Sequence, residues 1–506
     1  METLSGSQRR RRQRGKNEMT TTSLNVYHGE ERLLSDDRRV ILRYLAFGHP
    51  PRVRSIFRRL MKLSETQVAA LLEETLASFA GRHHAVEPVF VEHYKRVARE
   101  CSPPADISLQ RRLLIGACFT LEYSFEAAAL FNPSMVLHPN QGDLREGHVR
   151  FLLSLRATGE GHISSIVFRC GELDERGRVS LSPCPRRART TRPDPDRPHD
   201  RSRYEDRVRN LGVDDRLVRA IVAGLPETFA AKQLRQAIKQ ARQNVAATSN
   251  GDLTRTLMLP ALANYSLQFP PDSRPSELVI FPASEIEWHG MEDLRLVRFV
   301  GDDASVHYYG TYTAYDGRRV YPMIIDTPDF RHFRVNTVSG PFAKDKGWAM
   351  FPRRIDGRYA MLSRHDGESL FIMTSDDLYH WVDAQPLLKP KYPWELVQIG
   401  NSGSPIETPR GWILLTHGVG PMRQYAIGAA LLDLQDPSRV LGRLRHPLLA
   451  PTEEDREGHV PNVVYSCGAM LHRGQLVIPY AMSDSRTGFA AVNAEQLVDQ
   501  MLADGP

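Results

Sequence analysis

Three features of this 506-residue chain predict a mainly β fold: a five-bladed β-propeller with an N-terminal helical region and a helical insertion after the first blade. From about Leu278 onward, strand-like runs alternate with polar turns, and the turns recur at roughly the 50-to-60-residue interval of one four-stranded blade. A matching hairpin stands earlier, in "HVRFLLSLRATGEGHISSIVFRCGEL" from His148. Between that hairpin and Leu278 the hydrophobic period becomes helical, which reads as an insertion rather than a missing blade.

Taken in order, the chain opens with a basic tail over 1–25 that includes "RRRRQRGK", Arg9 to Lys16. Such composition cannot bury enough apolar surface to fold by itself. Residues 26–128 read as helical. Ser64 and Gln67 have capping-box spacing, and Val68, Leu71, Leu72, Leu76 and Phe79 follow at helical intervals, with Gly81 placed to stop the helix. Ile107 to Phe131 reads as a second, largely buried helical region. Residues 129–506 form the predicted propeller, interrupted at about 180–270. That interruption begins with the basic segment Pro185 to Arg209, read as a surface or disordered loop, and continues as a helix from near Pro226 through "ETFAAKQLRQAIKQARQ". The remaining turns fall at Gly301–Asp303, Asp356–Gly357, Pro409–Gly411 and Arg473–Gly474, one in each of four repeats, and the hairpin from His148 makes a fifth.

Composition narrows the function classes. No run of about 18 apolar residues exists, so no membrane span is expected. The start carries arginines instead of an apolar signal core. Five cysteines (Cys101, Cys118, Cys170, Cys184, Cys467) are scattered without a CxxC, which points to reduced thiols, a cytoplasmic location and no zinc site. The net charge of +6 invites a polyanion partner, yet the excess sits in the tail and in the Pro185–Arg209 segment without interleaved aromatics, so no nucleic-acid partner is expected. GxxxxGK[ST], GxSxG and HExxH are all absent.

Charged residues inside strand-like sequence are the remaining chemical signal. "HGMEDLRLVRF" sets Glu292 and Asp293 at a strand start, with Arg295 two residues on. Adjacent strand residues point to opposite faces, so one of the two acids is expected to face a central channel. Arg156, Asp293, Arg364, His417 and Asp484 are spread over the five units and would converge on one funnel. Lys346, Arg353 and Arg354 precede a hairpin. Carboxylates bond sugar hydroxyls and cations hold anions, so this layout fits a polyhydroxylated ligand accompanied by phosphate. His417, in "THGVG", reads equally well as a structural histidine.

The segments "FNPSMVLHPNQ", "LSLRATGEGHISSIVFR", "GMEDLR", "FPRRIDGRYAML", "GSPIETPRGWILLTHGVG" and "VVYSCGAML…VIPYAMSDSRTGFA" together resemble glycoside hydrolase family 130, the inverting β-mannoside phosphorylases and β-1,2-mannosidases. The resemblance runs from about Phe131 to Val492, and the N-terminal helices resemble a longer bacterial branch. It implies a five-bladed propeller, a β-mannoside oligosaccharide substrate, inorganic phosphate as possible co-substrate, no other cofactor, no metal, and a possible homo-oligomer. It also implies that Asp293 is the proton donor, acting through a sugar hydroxyl, and that Arg156 and Asp484 bind substrate; the clustering of polar residues adds Glu292, Arg295 and His417 as substrate-binding candidates. Lys346, Arg354 and Arg364 would hold phosphate. The chain departs from the family where Leu294 replaces a proline, where "FPRR" replaces "FPEK", and where Ser363 replaces a histidine. Phosphorolysis needs cations opposite the leaving group, whereas hydrolysis needs a carboxylate base there, for which Glu407 and Asp366 are the candidates. Phosphorolysis is favoured. The alternatives are a phosphate-independent inverting β-1,2-mannosidase, a non-catalytic sugar-binding propeller, and a polyanion binder acting through the arginine tracts.

Overall fold

A computed structural model describes residues 24–194, 197–244 and 251–506; the arginine-rich start lies outside them. The architecture is mainly β, with helices before, within and after the strands. Strands of the first two repeats join in one ten-stranded sheet, through a parallel bridge of Gly290 to Ser164. The third repeat makes a four-stranded sheet, and the fourth and fifth make five-stranded sheets.

Successive repeats touch. Val300 N donates to Pro352 O (2.9 Å), Ile399 N to Glu368 O (3.0 Å) and Tyr425 N to Asn462 O (3.0 Å). The last repeat returns to the first, where Cys467 N donates to Pro133 O (2.8 Å) and Gly468 bridges Ser134. The apolar cores lie between neighbouring sheets. Phe351, Leu362, Trp412 and Leu414 fill the third junction, for example. Tyr27–His28 adds an outer strand to the last sheet against Ala490 and Ala491, and Ala494–Asp504 packs there as a C-terminal helix.

The turn positions follow the expectation. Asp356 and Gly357, like Arg473 and Gly474, are paired left-handed residues, the backbone a two-residue hairpin turn requires. The helix Glu65–Phe79 begins at Ser64 with a complete capping box. Its end differs: Ala80 is the C-cap in right-handed geometry, and Gly81 has no left-handed backbone.

Three other expectations are corrected. Ile107–Phe131 is not one helix. After Leu109–Cys118 the chain turns into strands Thr120–Ser124 and Ala129–Leu137, because the first pairs with Val40–Tyr44 and the second enters the ten-stranded sheet. Tertiary pairing there overrides an ambiguous short apolar run. The helix expected from Pro226 starts only at Ala231, because Thr228–Phe229 pairs as a strand with His199–Asp200. The Pro185–Arg209 segment is not a free loop: Arg189 bridges Leu278, and Arg197 donates to the carbonyls of Tyr265 (2.6 Å) and Val335 (2.8 Å). Its end forms the helix Arg201–Asn210, which shares a core of its own with the insertion helices through Tyr204, Val208, Leu217 and Leu257.

A buried ion cluster ties the N-terminal region to the sheet. Glu126 is wholly buried and accepts from Arg39 and Arg169 at 2.8 to 3.0 Å. Arg169 is therefore a structural partner.

Candidate active site

A cavity of about 310 Å³ collects side chains from all five repeats. The first supplies Asn132 and Arg156, the second Glu292 and Asp293, and the third Lys346 and Arg364. The fourth supplies Gln398, His417, Arg423 and Tyr425, and the fifth Tyr465 and Asp484.

Local backbone irregularity aims the acids. The strand Gly290–Val300 slips register against its neighbour between Glu292 and Arg295, and Asp293 is left-handed (φ 57°). This bulge corrects the expectation that only one acid faces inward: strict alternation fails where an extra residue is inserted, and both carboxylates line the cavity. The strand Ala129–Leu137 slips in the same way between Phe131 and Ser134, with Asn132 left-handed (φ 49°). Ser483 and Asp484 (φ 47° and 50°) sit in the turn between the last two sheet strands. Asn and Asp tolerate this conformation better than other non-glycine residues.

The two bulges meet. Asn132 Nδ2 donates to Asp293 Oδ1 at 2.6 Å, and Arg156 lies 3.4 Å from the same oxygen and 3.0 Å from Glu292 Oε1. Lys346 Nζ donates to the other Glu292 oxygen at 2.9 Å. Arg295 lies behind the cavity and outside its lining. It donates to Asp293 O (3.2 Å) and to the buried Tyr465 hydroxyl (2.5 Å). Burial resists ionisation of Asp293, but Arg156, Arg295, the Asn132 hydrogen bond and Lys346 outweigh it and hold the carboxyl below its ordinary range. Asp484 is pushed the other way, up to about 6, by burial and then by the charge of Asp293. Asp293 and Asp484 thus titrate apart.

Around the rest of the wall, His417 Nδ1 pairs with Asn401 O at 2.9 Å and Nε2 faces Arg364 at 3.5 Å. Burial, then Arg364 and Arg295, hold its imidazole neutral, so Nδ1 carries the proton and Nε2 is an acceptor. Buried Nε atoms of Arg156 and Arg364 have no hydrogen-bond partner among the described residues.

Of the residues singled out in the sequence, Arg156, Glu292, Asp293, Lys346, Arg364, His417 and Asp484 come together. Arg354 does not: it lies over the Tyr359 ring (4.4 Å) and donates to Gly357 O. Neither candidate base lines the cavity. Glu407 is paired with Arg353 at 2.8 Å, and Asp366 accepts from the backbone of Glu368 and Ser369. Sequence reasoning missed Asn132, Gln398, Arg423, Tyr425 and Tyr465. An Asn-Pro step inside an apolar run was a bulge signal for Asn132; the others carry none.

The model of the family described as "beta-1,4-mannooligosaccharide phosphorylase" matches residues 272–503. A 1,2-β-oligomannan phosphorylase of Thermoanaerobacter sp. (strain X514) is 34% identical over 220 residues, which is 42% of this chain and 72% of that protein. A β-1,2-mannobiose phosphorylase of Listeria innocua is 29% identical over 231 residues, 44% of this chain and 63% of that one. A solved structure of the Listeria innocua enzyme with β-1,2-mannobiose aligns over 74% of this chain and 92% of its own, at 21% identity and a TM-score of 0.44. This chain belongs to glycoside hydrolase family 130, the family of those β-mannoside phosphorylases.

Proposed function

We propose that this protein is an inverting β-mannoside phosphorylase that uses inorganic phosphate to release α-mannose 1-phosphate. One observation carries this reading beyond family membership: the cavity brings Lys346, Arg364 and Arg423 together, while both candidate bases for water, Glu407 and Asp366, are engaged elsewhere. The five strand groups, each touching the next, are read as blades of a five-bladed propeller with this cavity at one end of its axis.

In the proposed reaction a phosphate oxygen bonds to the mannosyl anomeric carbon from the α face as the β-glycosidic bond breaks. Asp293, as the carboxylic acid, releases its proton to the leaving oxygen through a sugar hydroxyl, and the acceptor sugar departs neutral. Arg156, Glu292 and Asp484 bond mannosyl hydroxyls, while Lys346 and Arg364 hold the phosphate. In the free protein the cations keep Asp293 ionised. A bound phosphate dianion offsets their field and raises the carboxyl toward protonation, so the co-substrate also arms the acid.

A second reading, inverting hydrolysis, draws on Asp484, whose value of about 6 suits a base near neutrality. Product analysis decides between them. The protein is incubated with β-1,2-mannobiose and with β-1,4-mannosyl-glucose, with and without inorganic phosphate. Phosphate-dependent mannose 1-phosphate supports phosphorolysis, and free mannose at a phosphate-indifferent rate sinks it. Asp293→Asn should lower turnover of the active substrate by ~10²- to 10⁴-fold; full activity in that variant would remove Asp293 from the mechanism.

A further inference from the structure

A second basic cavity lies where the helical insertion meets the ten-stranded sheet. It has a volume of about 130 Å³ and is lined by Arg197, Arg203 and Arg207, with Asn264 and Asn336 among its neutral polar groups. None of these residues belongs to the catalytic cavity. Arg207 is only 7% exposed, and it donates to Thr337 O at 2.6 Å through one Nη2. Arg197 donates to Asn336 Oδ1 at 2.7 Å as well as to the carbonyls of Tyr265 and Val335, which leaves one Nη2 hydrogen and Nε, and Arg203 lies over the Tyr379 ring at 5.0 Å. The carboxylate in the lining is Asp200, which is committed to the helix cap through Arg203 N at 2.8 Å.

In the lining three guanidiniums face one occupied carboxylate, and the nearby Asp326 and Asp377 are engaged by Arg334 (2.7 Å) and by Tyr379 N (2.9 Å), which leaves a positive excess in a partly enclosed space. The electrostatics agree. Burial, then the charge of Arg203, brings the Arg207 guanidinium down to about 10. Burial, then Arg197 and Arg207, brings the neighbouring His199 imidazole down to about 4. An arginine placed only to staple backbone carbonyls needs no such company of like charges, whereas planar guanidinium donors around a small cavity match a tetrahedral oxyanion.

We propose that this cavity is a binding site for a phosphate or sulfate group, separate from the catalytic cavity and built by Arg197, Arg203 and Arg207. It is also connected to that cavity along the chain, because Thr337, held by Arg207, stands nine residues before Lys346. The insertion packs directly on the intervening segment, as Arg207, Leu211 and Pro260 share a further cavity with residues 337–341 and Lys344.

The test uses the full chain carrying Lys346→Ala and Arg364→Ala, so that the proposed phosphate ligands of the catalytic cavity are removed. Calorimetric titration with sodium sulfate, and separately with sodium phosphate, is expected to reveal one saturable site. Adding Arg203→Gln, on the exposed side of the cavity, should weaken it at least tenfold, and Arg207→Gln should abolish it. Should the buried Arg207 variant fail to fold, Arg203→Gln decides alone. Absence of saturable binding in the double variant overturns the proposal and leaves the three arginines as structural staples, with the phosphorolysis reading intact. Binding that Arg203→Gln leaves unchanged overturns it equally.

Discussion

At the scale of single residues, the cavity is governed by how two carboxylates are treated differently. Asp293 is surrounded by donors and kept ionised, while Asp484 is buried with few of them and kept protonated into the weakly acidic range. This has a consequence for stability. The native state holds the Asp484 proton up to about pH 6, and the unfolded chain loses it near the ordinary aspartate value. The stability Asp484 contributes is therefore fully present below about pH 4 and is lost as pH rises through about 6. Asp484→Asn, which removes the ionisation, should leave the melting temperature unchanged at pH 4 and raise it at pH 7.5, by up to ~3 kcal/mol of stability. Thermal denaturation at the two pH values checks this; a lower melting temperature at pH 7.5 would show that the carboxylate is stabilised there. The same substitution should cost activity, the usual trade where a site is kept strained for function.

At the scale of elements, bulges and turns do the positioning. The strand from Gly290 was legible in its alternating residues, but its slip between Glu292 and Arg295 was not, because a bulge is set by what the neighbouring strand pairs with. The N-terminal segment makes a similar point. Leu33 exchanges two backbone hydrogen bonds with Thr487, N to O at 2.9 Å and O to N at 3.0 Å, which extends the edge begun by Tyr27–His28. Nothing local in that segment marks it as a strand of the last sheet. Leu33→Pro deletes one donor and leaves Thr487 O short of its partner, so it should destabilise the protein by ~1–3 kcal/mol. Urea unfolding measures the loss, and an unchanged midpoint would mean that the edge pairing contributes nothing.

At the scale of the whole molecule, the candidate active-site cavity exists only when every repeat is in place, because each supplies part of its lining. A ligand held in that cavity binds only the assembled molecule and therefore stabilises the assembly as a unit. Under the phosphorolysis reading, inorganic phosphate at about a hundred times its dissociation constant should raise stability by ~2.7 kcal/mol. Differential scanning calorimetry should show a smaller increase in Lys346→Ala/Arg364→Ala, the remainder coming from the second basic cavity and disappearing when Arg203→Gln is added. An equal increase in the double variant would place the phosphate effect elsewhere, the second basic cavity included. The ion cluster of Glu126, Arg39 and Arg169 acts at the same scale, clamping the N-terminal region to the sheet that carries Arg156.

By itself the sequence determined the β repeats, their turns and the residues that family resemblance carries, because these depend on local period, turn chemistry and short motifs. Asp293, Asp484, Lys346 and Arg364 were singled out that way, and they line one cavity. Tertiary structure alone decided that Glu292 and Asp293 share one cavity and that Arg354 is outside it. It also decided that Glu407 is spent on Arg353, and that the basic segment after Pro185 is docked and partly buried. Each of those outcomes turns on which distant groups come within a few ångströms, and for charged side chains that proximity, not residue type, sets both partner and protonation state.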